Sequence, residues 1–251
     1  MLSRLYAMAT EGGKLVASSL GTVQHGAQQL EFPRFTFTGP HGGGDPVRFG
    51  LFAGIHGDEP AGVLALIRLL EYLSVEPDLA AGYRLYIYPA CNPTGLVART
   101  RLSAAGKDLN REFWKDSSEV EVRLLEKEIR SQRFHGLISL HADDTSDGMY
   151  GFVRGAVLSK GLLEPALKAA EVILPRNNDP LIDGFPAHQG IISECYDGIL
   201  TSPSDLQPLP FEIILETPHA AAEEKQVEAL VRAVSTILAE YQKLLAFAAN
   251  L

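Results

Sequence analysis

The sequence predicts an α/β fold in which helices cover both faces of one β-sheet, and three observations lead to this prediction. Short apolar runs, the expected form of buried strands, alternate along the chain with longer stretches of helical periodicity. The 251 residues are 46% hydrophobic and 21% charged, as in an ordinary globular protein with a core. No linker, repeat or low-complexity segment divides the chain, so we expect a single domain over residues 1–251.

The first half of the chain predicts alternating strands and helices. Residues Glu31–Thr38 alternate between apolar and polar, as a half-buried strand does, and a glycine-rich turn follows at 41–46. A helix begins near Pro60, because the first turn of a helix tolerates the missing N–H of proline. The predicted order is strand Glu31–Thr38, strand Phe49–Ile55, helix Glu59–Leu73, strand Tyr83–Tyr88, an ordered loop Asn92–Lys107 and helix Ser118–Gln132.

The second half continues the alternation. Two apolar runs of strand length flank a segment, residues 176–210, that is rich in proline, glycine and aspartate. We expect this segment to be a long loop with a strand or hairpin inside it. The predicted order is strand Gly136–His141, strand Tyr150–Val153, helix Gly161–Leu174, loop Arg176–Pro210, strand Phe211–Leu215 and helix Ala220–Phe247.

The composition excludes several classes of function. A formal net charge of −9 argues against nucleic acid as the main partner, because phosphate binding needs a basic face. No run of about 18 apolar residues predicts a membrane span, and residues 1–20 lack the pattern of a signal peptide. Cys91 and Cys195 form no disulfide framework or thiolate zinc motif and leave room for one disulfide. We therefore expect a soluble, cytoplasmic protein, and the sequence makes no prediction of its oligomeric state.

The segment 56–59 contains a histidine and a glutamate three residues apart at a predicted strand-to-helix junction. His56 and Glu59 can both point at one cation from such a junction. The alternative interpretation is a turn histidine and a helix-start glutamate that interacts with the helix dipole. Asp58 is interpreted as a solvated or capping acid.

A third donor follows a second apolar strand at His141. Together His56, Glu59 and His141 are the ligand types of a catalytic zinc site, which uses three protein ligands and leaves one position open for water. Ligands in α/β sheets bind beyond the carboxyl ends of strands, and His56, His141 and Glu216 each follow a predicted strand. A structural histidine is the alternative for His141, and capping is the preferred interpretation of Asp143 and Asp144 over a cation-binding pocket.

Residues 108–111 form a second group of candidate site residues. Asn110 and Arg111 stand side by side and can bind a carboxylate, the arginine in bidentate fashion. Asp108 can orient a metal-bound histidine by accepting its other ring N–H. Arg101, or Arg99 beside it, can stabilise the oxyanion of a scissile carbonyl. A turn with surface salt bridges is the alternative.

Glu216 ends the apolar run that begins at Phe211. A carboxylate at a strand end near a metal ion can take a proton from water and return it to a leaving nitrogen. An ordinary polar strand terminus is the alternative interpretation.

Six motifs in this order resemble those of the zinc carboxypeptidases. The resemblance covers residues 49–218 and is closest to the compact bacterial branch that grades into the succinylglutamate desuccinylase/aspartoacylase group. The motifs are H-G-D-E (His56–Glu59), N-P-x-G (Asn92–Gly95), T-R (Thr100–Arg101), D-L-N-R-x-F (Asp108–Phe113), S-L-H (Ser139–His141) and L-E-T-P (Leu215–Pro218).

The resemblance implies a mixed β-sheet, a single Zn²⁺ ion and a hydrolytic activity. The implied zinc ligands are His56, Glu59 and His141, and the implied general base, which later acts as an acid, is Glu216. Arg101 is implied to polarise the carbonyl. Cobalt or manganese can also occupy a site of these ligand types.

The resemblance also implies how the substrate is held. Asn110 and Arg111 would bind its terminal carboxylate. Asp108 would accept a hydrogen bond from the ring N–H of His56 that does not face the metal ion. Tyr196 stands at the spacing of the mobile tyrosine of the family's peptidases, with a packing tyrosine as the alternative. His188 and His219 match no role and are interpreted as structural or solvent-facing.

These roles predict a metallocarboxypeptidase that hydrolyses an amide bond next to the free C-terminal carboxylate of a small peptide. A deacylase of small N-acyl amino acids is the alternative. Only residues 217–251 follow Glu216, which we expect to be too few for the C-terminal domain of aspartoacylase-like enzymes and which favours the peptidase. A catalytically inactive, metal-dependent peptide-binding protein is a third possibility, against which the retention of Glu216 argues. Residues 142–145 match no family pattern, so the sequence predicts no side-chain preference.

Overall fold

The computed structural model describes residues 1–154 and 156–248, and within them the apolar runs pair as neighbouring strands. Eight of the described strands form one sheet, in the order β1-β2-β4-β3-β5-β10-β6-β9, and β7 and β8 form a separate hairpin. The strands are β1 (Leu15–His25), β2 (Gln28–Thr38), β3 (Val47–Ala53), β4 (Tyr83–Tyr88), β5 (Gly136–Asp143), β6 (Tyr150–Val153), β7 (Leu181–Ile182), β8 (Phe185–Pro186), β9 (Ile191–Ile192) and β10 (Phe211–Pro218).

The middle of the sheet is parallel and its flanks are antiparallel. Strands β4, β3, β5 and β10 run in the same direction, so their carboxyl ends meet at one edge. Strands β2 and β6 pair with the two outer members of this group in antiparallel fashion. The mixed sheet implied by the family resemblance is therefore confirmed.

Helices cover both faces of the sheet, as the sequence predicts. Alternate residues of β3 serve opposite faces: Leu51 packs in the cluster with α2, α6 and α7, and Phe52 packs in the cluster with α4. The helices are α1 (Ser3–Met8), α2 (Pro60–Val75), α3 (Pro93–Ala98), α4 (Val120–Gln132), α5 (Ala156–Leu158), α6 (Glu164–Ala170) and α7 (Glu223–Ala248), with 3-10 turns at Pro77–Ala80 and Leu109–Arg111 and a π-helical turn at Ser159–Leu163.

Three expectations about individual elements need correction. The segment expected to be a loop from Asn92 contains helix α3, because the Asn92 side chain caps its first turn. The hairpin of β1 and β2 begins well before Glu31, and few residues of β1 are buried, so its apolar residues leave no clear alternating pattern. Glu216 lies inside β10 rather than after it, and β5 continues past His141 to Asp143, since the parallel pairing of the two strands continues to their last residues.

Three further features of the described chain concern the loop region, the cysteines and the helices. The predicted loop region 176–210 contains the short hairpin of β7 and β8. Cys91 is buried, Cys195 is exposed, and both are free thiols. Among the helices of residues 1–154 and 156–248, none is long and apolar enough to cross a membrane.

Candidate active site

The candidate site lies at the carboxyl edge of the parallel strands. Strand β3 ends at Ala53, and Gly54 turns the chain with a φ of +66°, a conformation that favours glycine. His56 follows this turn, and Glu59 is the residue before helix α2. On the next strands of the sheet, His141 of β5 is the register partner of Glu216 of β10.

The motif around Asn92 holds this edge together. The buried Asn92 side chain accepts a hydrogen bond from the Gly95 N–H at 2.8 Å. Its amide nitrogen donates to the carbonyl oxygens of Ile55, at 3.3 Å, and Arg101, at 3.4 Å. One buried amide thus fixes the backbone of both the His56 loop and the Arg101 loop.

Gly57 allows the His56 loop to approach helix α3. Its N–H donates to the Thr100 carbonyl at 2.9 Å. A Cβ atom at Gly57 would lie 1.9 Å from the carbonyl carbon of Gly95, so no larger residue fits without a backbone shift. The glycine of the H-G-D-E motif is therefore required by packing.

The three predicted metal ligands converge in a buried cluster. The Nδ1 atom of His56 lies 2.6 Å from Oε1 of Glu59, and the Nδ1 atom of His141 lies 3.1 Å from Oε2 of the same carboxylate. The two imidazole rings are 5.1 Å apart, centroid to centroid. One donor atom from each residue lies within 4.8 Å of the other two, so a single ion can be shared.

The outer nitrogen of each imidazole has its own partner. Nε2 of His56 lies 3.1 Å from the Asp108 carboxylate, and Nε2 of His141 lies 3.1 Å from the Ser139 hydroxyl. When Nδ1 is the deprotonated nitrogen, each Nε2–H donates to that oxygen. Partners of this kind fix the tautomer and the ring orientation of a metal-binding histidine.

Burial and ion pairing set the protonation of the cluster. Burial alone would raise the pKa of Glu59, but the two histidines, His141 foremost, hold that pKa well below its usual range. Burial lowers the pKa of His141 despite the nearby Glu59 carboxylate. Burial also opposes a charged His56, yet its hydrogen bonds to Asp108 and Glu59 raise its pKa overall. Glu59 is therefore ionised and His141 neutral, the forms that bind a metal ion.

Glu216 lies in the wall of a cavity of about 330 Å³ that also contains the three-residue cluster. Burial, followed by the carboxylates of Glu59 and Asp143, raises the pKa of Glu216 well above its usual range. A carboxyl group beside a metal site can serve as a general base, and a raised pKa favours the protonated form in which it returns the proton.

Arg101 is joined to the cluster through Asp108. Its Nε donates to Oδ2 of Asp108 at 3.2 Å, and its Nη1 lies 3.5 Å from Oε1 of Glu59. The Arg101 side chain is 45% exposed and lines the cavity, so one end of the guanidinium faces the solvent of the site. Asp108 also accepts the Asn110 N–H at 3.0 Å, and its carboxylate therefore connects three predicted site residues.

The predicted carboxylate-binding residues lie in the same cavity. The Leu200 N–H donates to Oδ1 of Asn110 at 2.9 Å, which leaves the Asn110 amide nitrogen as the group that can donate to a substrate. The Arg111 guanidinium lies 4.3 Å from the ring centroid of Tyr196. Among residues 1–154 and 156–248, Arg111 has no carboxylate within ion-pair distance, although the guanidinium binds the Asn110 carbonyl at 2.7 Å.

The remaining acidic residues and histidines agree with their sequence interpretation only in part. Asp58 lines the cavity, and its buried Oδ1 has no hydrogen-bond partner among the residues that the structure describes. Asp143 caps its own turn, as expected, by accepting the Thr145 N–H at 2.8 Å, but it also lines the cavity together with Asp144. His219 is exposed at the cavity rim. His188 is exposed, and its backbone exchanges two hydrogen bonds with Ile191.

Sequence reasoning missed two residues of the site. Ser139 precedes His141 by two positions in a strand and therefore points to the same face, a spacing that could have identified it as the histidine's partner. Asp183 accepts a hydrogen bond from the Tyr196 hydroxyl at 2.9 Å and lines the cavity. No motif surrounds Asp183, which reaches the site only through the fold.

The donor set suits a divalent metal ion. Two imidazoles and one carboxylate are within reach of a common point, and the outer ring nitrogens are already anchored. This combination matches three-ligand catalytic metal sites, in which a further position remains for water.

Comparison with known proteins identifies a family for the chain. Residues 47–172 match the catalytic domain of the succinylglutamate desuccinylase/aspartoacylase family. No protein among the curated sequences matches the chain significantly.

Solved structures of three bacterial proteins have the same fold as this chain. A proposed metallopeptidase from Shewanella amazonensis has 23% identity and a TM-score of 0.78, with 93% of this chain and 90% of that chain covered. A metallo-carboxypeptidase from Burkholderia cenocepacia has 18% identity and a TM-score of 0.72, with coverage of 97% and 68%. A metallo-carboxypeptidase from Pseudomonas aeruginosa, in complex with (2-guanidinoethylmercapto)succinic acid, has 17% identity and a TM-score of 0.67, with coverage of 96% and 68%. At these identities the similarity establishes the fold.

Proposed function

Because this chain belongs to the succinylglutamate desuccinylase/aspartoacylase catalytic-domain family, we propose that it is a zinc-dependent hydrolase that cleaves an amide bond next to a free carboxylate. The substrate we favour is a small peptide from which the C-terminal residue is released, which makes the protein a metallocarboxypeptidase. One observation carries the proposal. The cavity that contains the His56, Glu59 and His141 cluster also contains Glu216 and an arginine, Arg111, without a carboxylate partner in the described chain.

The proposed zinc ligands are His56, Glu59 and His141, with Asp108 and Ser139 supporting the two histidines. When bound, zinc lowers the pKa of a coordinated water molecule to about 7 and thereby supplies a nucleophile at neutral pH. The protein's part is to keep both Nδ1 atoms and one carboxylate directed at a single point.

Glu216 handles the proton in the proposed reaction. Its carboxylate accepts a proton from the attacking water and then donates it to the nitrogen of the departing amine. The raised pKa of Glu216 suits the second task, because a very acidic carboxyl group would hold the proton too weakly to pass it on.

Arg101, Asn110 and Arg111 divide the remaining tasks. Arg101 lies beside Glu59 and donates to the oxyanion that develops from the scissile carbonyl. Arg111 and the Asn110 amide bind the substrate carboxylate and fix its distance from the reacting carbon. The ring of Tyr196 packs against the Arg111 guanidinium and helps to hold it in place.

Deacylation of a small N-acyl amino acid is the second candidate function. The match to the desuccinylase/aspartoacylase family favours it, and the cavity of about 330 Å³ admits such a substrate. The P. aeruginosa carboxypeptidase in complex with a succinic-acid derivative supports a small carboxylate-bearing substrate for either candidate. A metal-dependent peptide-binding protein is less well supported, because Glu216 has no task in binding alone.

A substrate panel tests the proposal. Zinc-loaded protein is incubated with dipeptides and tripeptides, with the same peptides amidated at the C-terminus, and with N-acetyl and N-succinyl amino acids. We expect release of the C-terminal residue from the peptides and no turnover of the amidated forms. Release of acetate or succinate alone would replace the peptidase by the deacylase, and no turnover of any compound would refute both.

Glu216→Gln provides the matched control for this panel. The substitution keeps the size of the side chain and removes the base, so turnover should disappear. Glu223→Gln makes the same chemical change at an exposed position on helix α7 and should leave turnover unchanged.

A further inference from the structure

Charge is distributed unevenly around the catalytic cavity. Six carboxyl groups line it, against two arginines: Asp58, Glu59, Asp143, Asp144, Asp183 and Glu216 face Arg101 and Arg111. Glu59 is assigned to the metal ion and Glu216 to the proton transfer. Arg101 is already paired with Asp108. Even with a divalent ion and an arginine-bound substrate carboxylate in place, the cavity retains an excess of negative charge.

Asp143 is held in the cavity wall by groups on two sides. Its Oδ1 accepts hydrogen bonds from the N–H and the hydroxyl of Thr145, each at 2.8 Å. Its Oδ2 accepts the Tyr150 hydroxyl, also at 2.8 Å. These partners are neutral, so they fix the position of the carboxylate without neutralising its charge.

Asp183 approaches the same wall from the hairpin of β7 and β8. Asp183 and Gly184 form its two-residue turn, both with positive φ, 52° and 80°, as expected for an Asp-Gly hairpin. The Phe185 ring of the hairpin packs edge-on against the rings of Tyr196 and Phe152, with centroid distances of 4.7 and 5.9 Å. These contacts hold the turn of the hairpin against the cavity wall.

Within the described chain, the only hydrogen-bond donor to the Asp183 carboxylate is the neutral Tyr196 hydroxyl, at 2.9 Å. Burial raises the pKa of Asp183, and the nearby Asp143 carboxylate raises it further, while the Tyr196 hydrogen bond and Arg111 lower it. Neither Asp143 nor Asp183 has a cationic partner within ion-pair distance in residues 1–154 and 156–248.

We propose that the substrate carries an ammonium or guanidinium group in addition to its carboxylate, and that Asp143 and Asp183 bind this cation. The inference rests on the proposed function, because it assigns the substrate carboxylate to Arg111, which lies over the ring of Tyr196. The substrate class is then dipolar: an amide with an anionic end and a cationic end, short enough to lie within one cavity of about 330 Å³. A hydrogen-bonded cation at two carboxylates should improve binding about 10- to 100-fold over an uncharged equivalent.

Three peptides that all have a free C-terminal carboxylate test the proposal. N-acetylalanyl-norleucine has no cation, alanyl-norleucine has an ammonium group on the acyl side, and N-acetylalanyl-lysine has one on the leaving residue. Their affinities are measured by calorimetry on the zinc-loaded Glu216→Gln protein, and their turnover is measured on the wild-type protein. We expect one of the two cationic peptides to bind about 10- to 100-fold more tightly than the uncharged peptide.

Substitutions at the acidic wall identify the residues responsible. In the Glu216→Gln background, the double substitution of Asp143→Asn and Asp183→Asn should reduce the ratio of affinities, cationic over uncharged peptide, to about one. Asp183→Asn alone should reduce it in part, and it preserves the turn because asparagine also tolerates positive φ. Asp179→Asn, an exposed position four residues away and outside the cavity lining, should keep the full preference.

Each outcome decides one point. Equal affinity for the charged and uncharged peptides, or no affinity for any of them, overturns the cation subsite. A preference that survives Asp183→Asn and the double substitution overturns its assignment to these two residues. Preferential binding that depends on both aspartates, without turnover by the wild-type protein, supports the subsite and refutes only the proposed hydrolysis.

Discussion

Glu216 and His141 are register partners on adjacent parallel strands, so their side chains leave the same face of the sheet at the same height. The sheet itself therefore sets the separation between a proposed metal ligand and the proposed base. Strand β5 is central and buried along nearly its whole length, which makes this separation rigid. Hydrolysis by a metal-activated water needs a base at a fixed distance from the metal ion, and this placement provides one.

Replacing Glu216 by glutamine should separate metal binding from catalysis. We expect Glu216→Gln to bind zinc as the wild-type protein does, because Glu216 is outside the ligand cluster. The rate constant kcat should fall about 10²- to 10⁴-fold, the usual contribution of a general base. Zinc content by mass spectrometry and steady-state kinetics give the two readouts. Unchanged turnover would remove Glu216 from the mechanism.

The same substitution should stabilise the metal-free protein at neutral pH. The pKa of Glu216 is raised in the folded state, so folding favours its protonated form. The contribution of this carboxyl group to stability is fully present below its pKa in the unfolded chain, about 4.3. It is lost as the pH rises through its pKa in the folded protein. The Tm of Glu216→Gln, measured with a chelator, should therefore exceed the wild-type Tm at pH 8 and match it near pH 4. A Tm difference that shrinks with rising pH would contradict the raised pKa.

Removal of either histidine support should weaken metal binding without removing a ligand. Asp108→Asn and Ser139→Ala each disturb the partner of one Nε2 atom. Loss of such a partner typically costs 10- to 100-fold in metal affinity. Competition with a zinc chelator measures the dissociation constants. Asp108→Asn should have the larger effect, because Asp108 is a charged acceptor that also holds Arg101. Wild-type affinity in both variants would show that the supports are dispensable.

Loss of the Arg111 guanidinium should affect only substrates with a carboxylate. We expect Arg111→Ala to lower kcat/KM for a free-acid peptide by about 100-fold, the scale of a lost charge-assisted hydrogen bond. Arg111→Lys should recover little of this, since lysine lacks the planar fork and the stacking on Tyr196. Amidated peptides provide the control, on which the variants and the wild type should not differ. An equal loss on both kinds of peptide would show that Arg111 does not recognise the carboxylate.

A methyl group at Gly57 should disturb the metal site through packing. The added Cβ would lie 1.9 Å from the backbone of Gly95, which cannot move without shifting the Asn92 turn. Overpacking of this kind typically costs about 1–3 kcal/mol. We expect Gly57→Ala to lower both the free energy of unfolding and the zinc affinity. Gly44→Ala, where an added Cβ meets nothing within 4 Å, is the control and should change neither.

The parts of the molecule that sequence reasoning predicted are those with a local signal. His56, Glu59 and His141 stand at the ends of apolar runs, and the order of the six motifs indicates that they meet. The long, periodic helices α4 and α7 are likewise visible in the pattern of apolar residues.

The parts that were missed depend on distant contacts. Helix α3 has only six residues and owes its first turn to the side chain of Asn92, which also bonds to Ile55 and Arg101. Asp183 lies in the turn of a hairpin with two-residue strands, too short to leave a periodic signal. Its position in the cavity follows from the packing of Phe185 against Tyr196, a contact that no local sequence pattern predicts.

The most direct test of the metal site is an anomalous difference map at the zinc edge from crystals of the zinc-loaded protein. We predict one strong peak between the rings of His56 and His141, at about 2.0–2.2 Å from a donor atom of each histidine and of Glu59. A strongest peak elsewhere, or no peak between these three side chains at saturating zinc, would contradict the account.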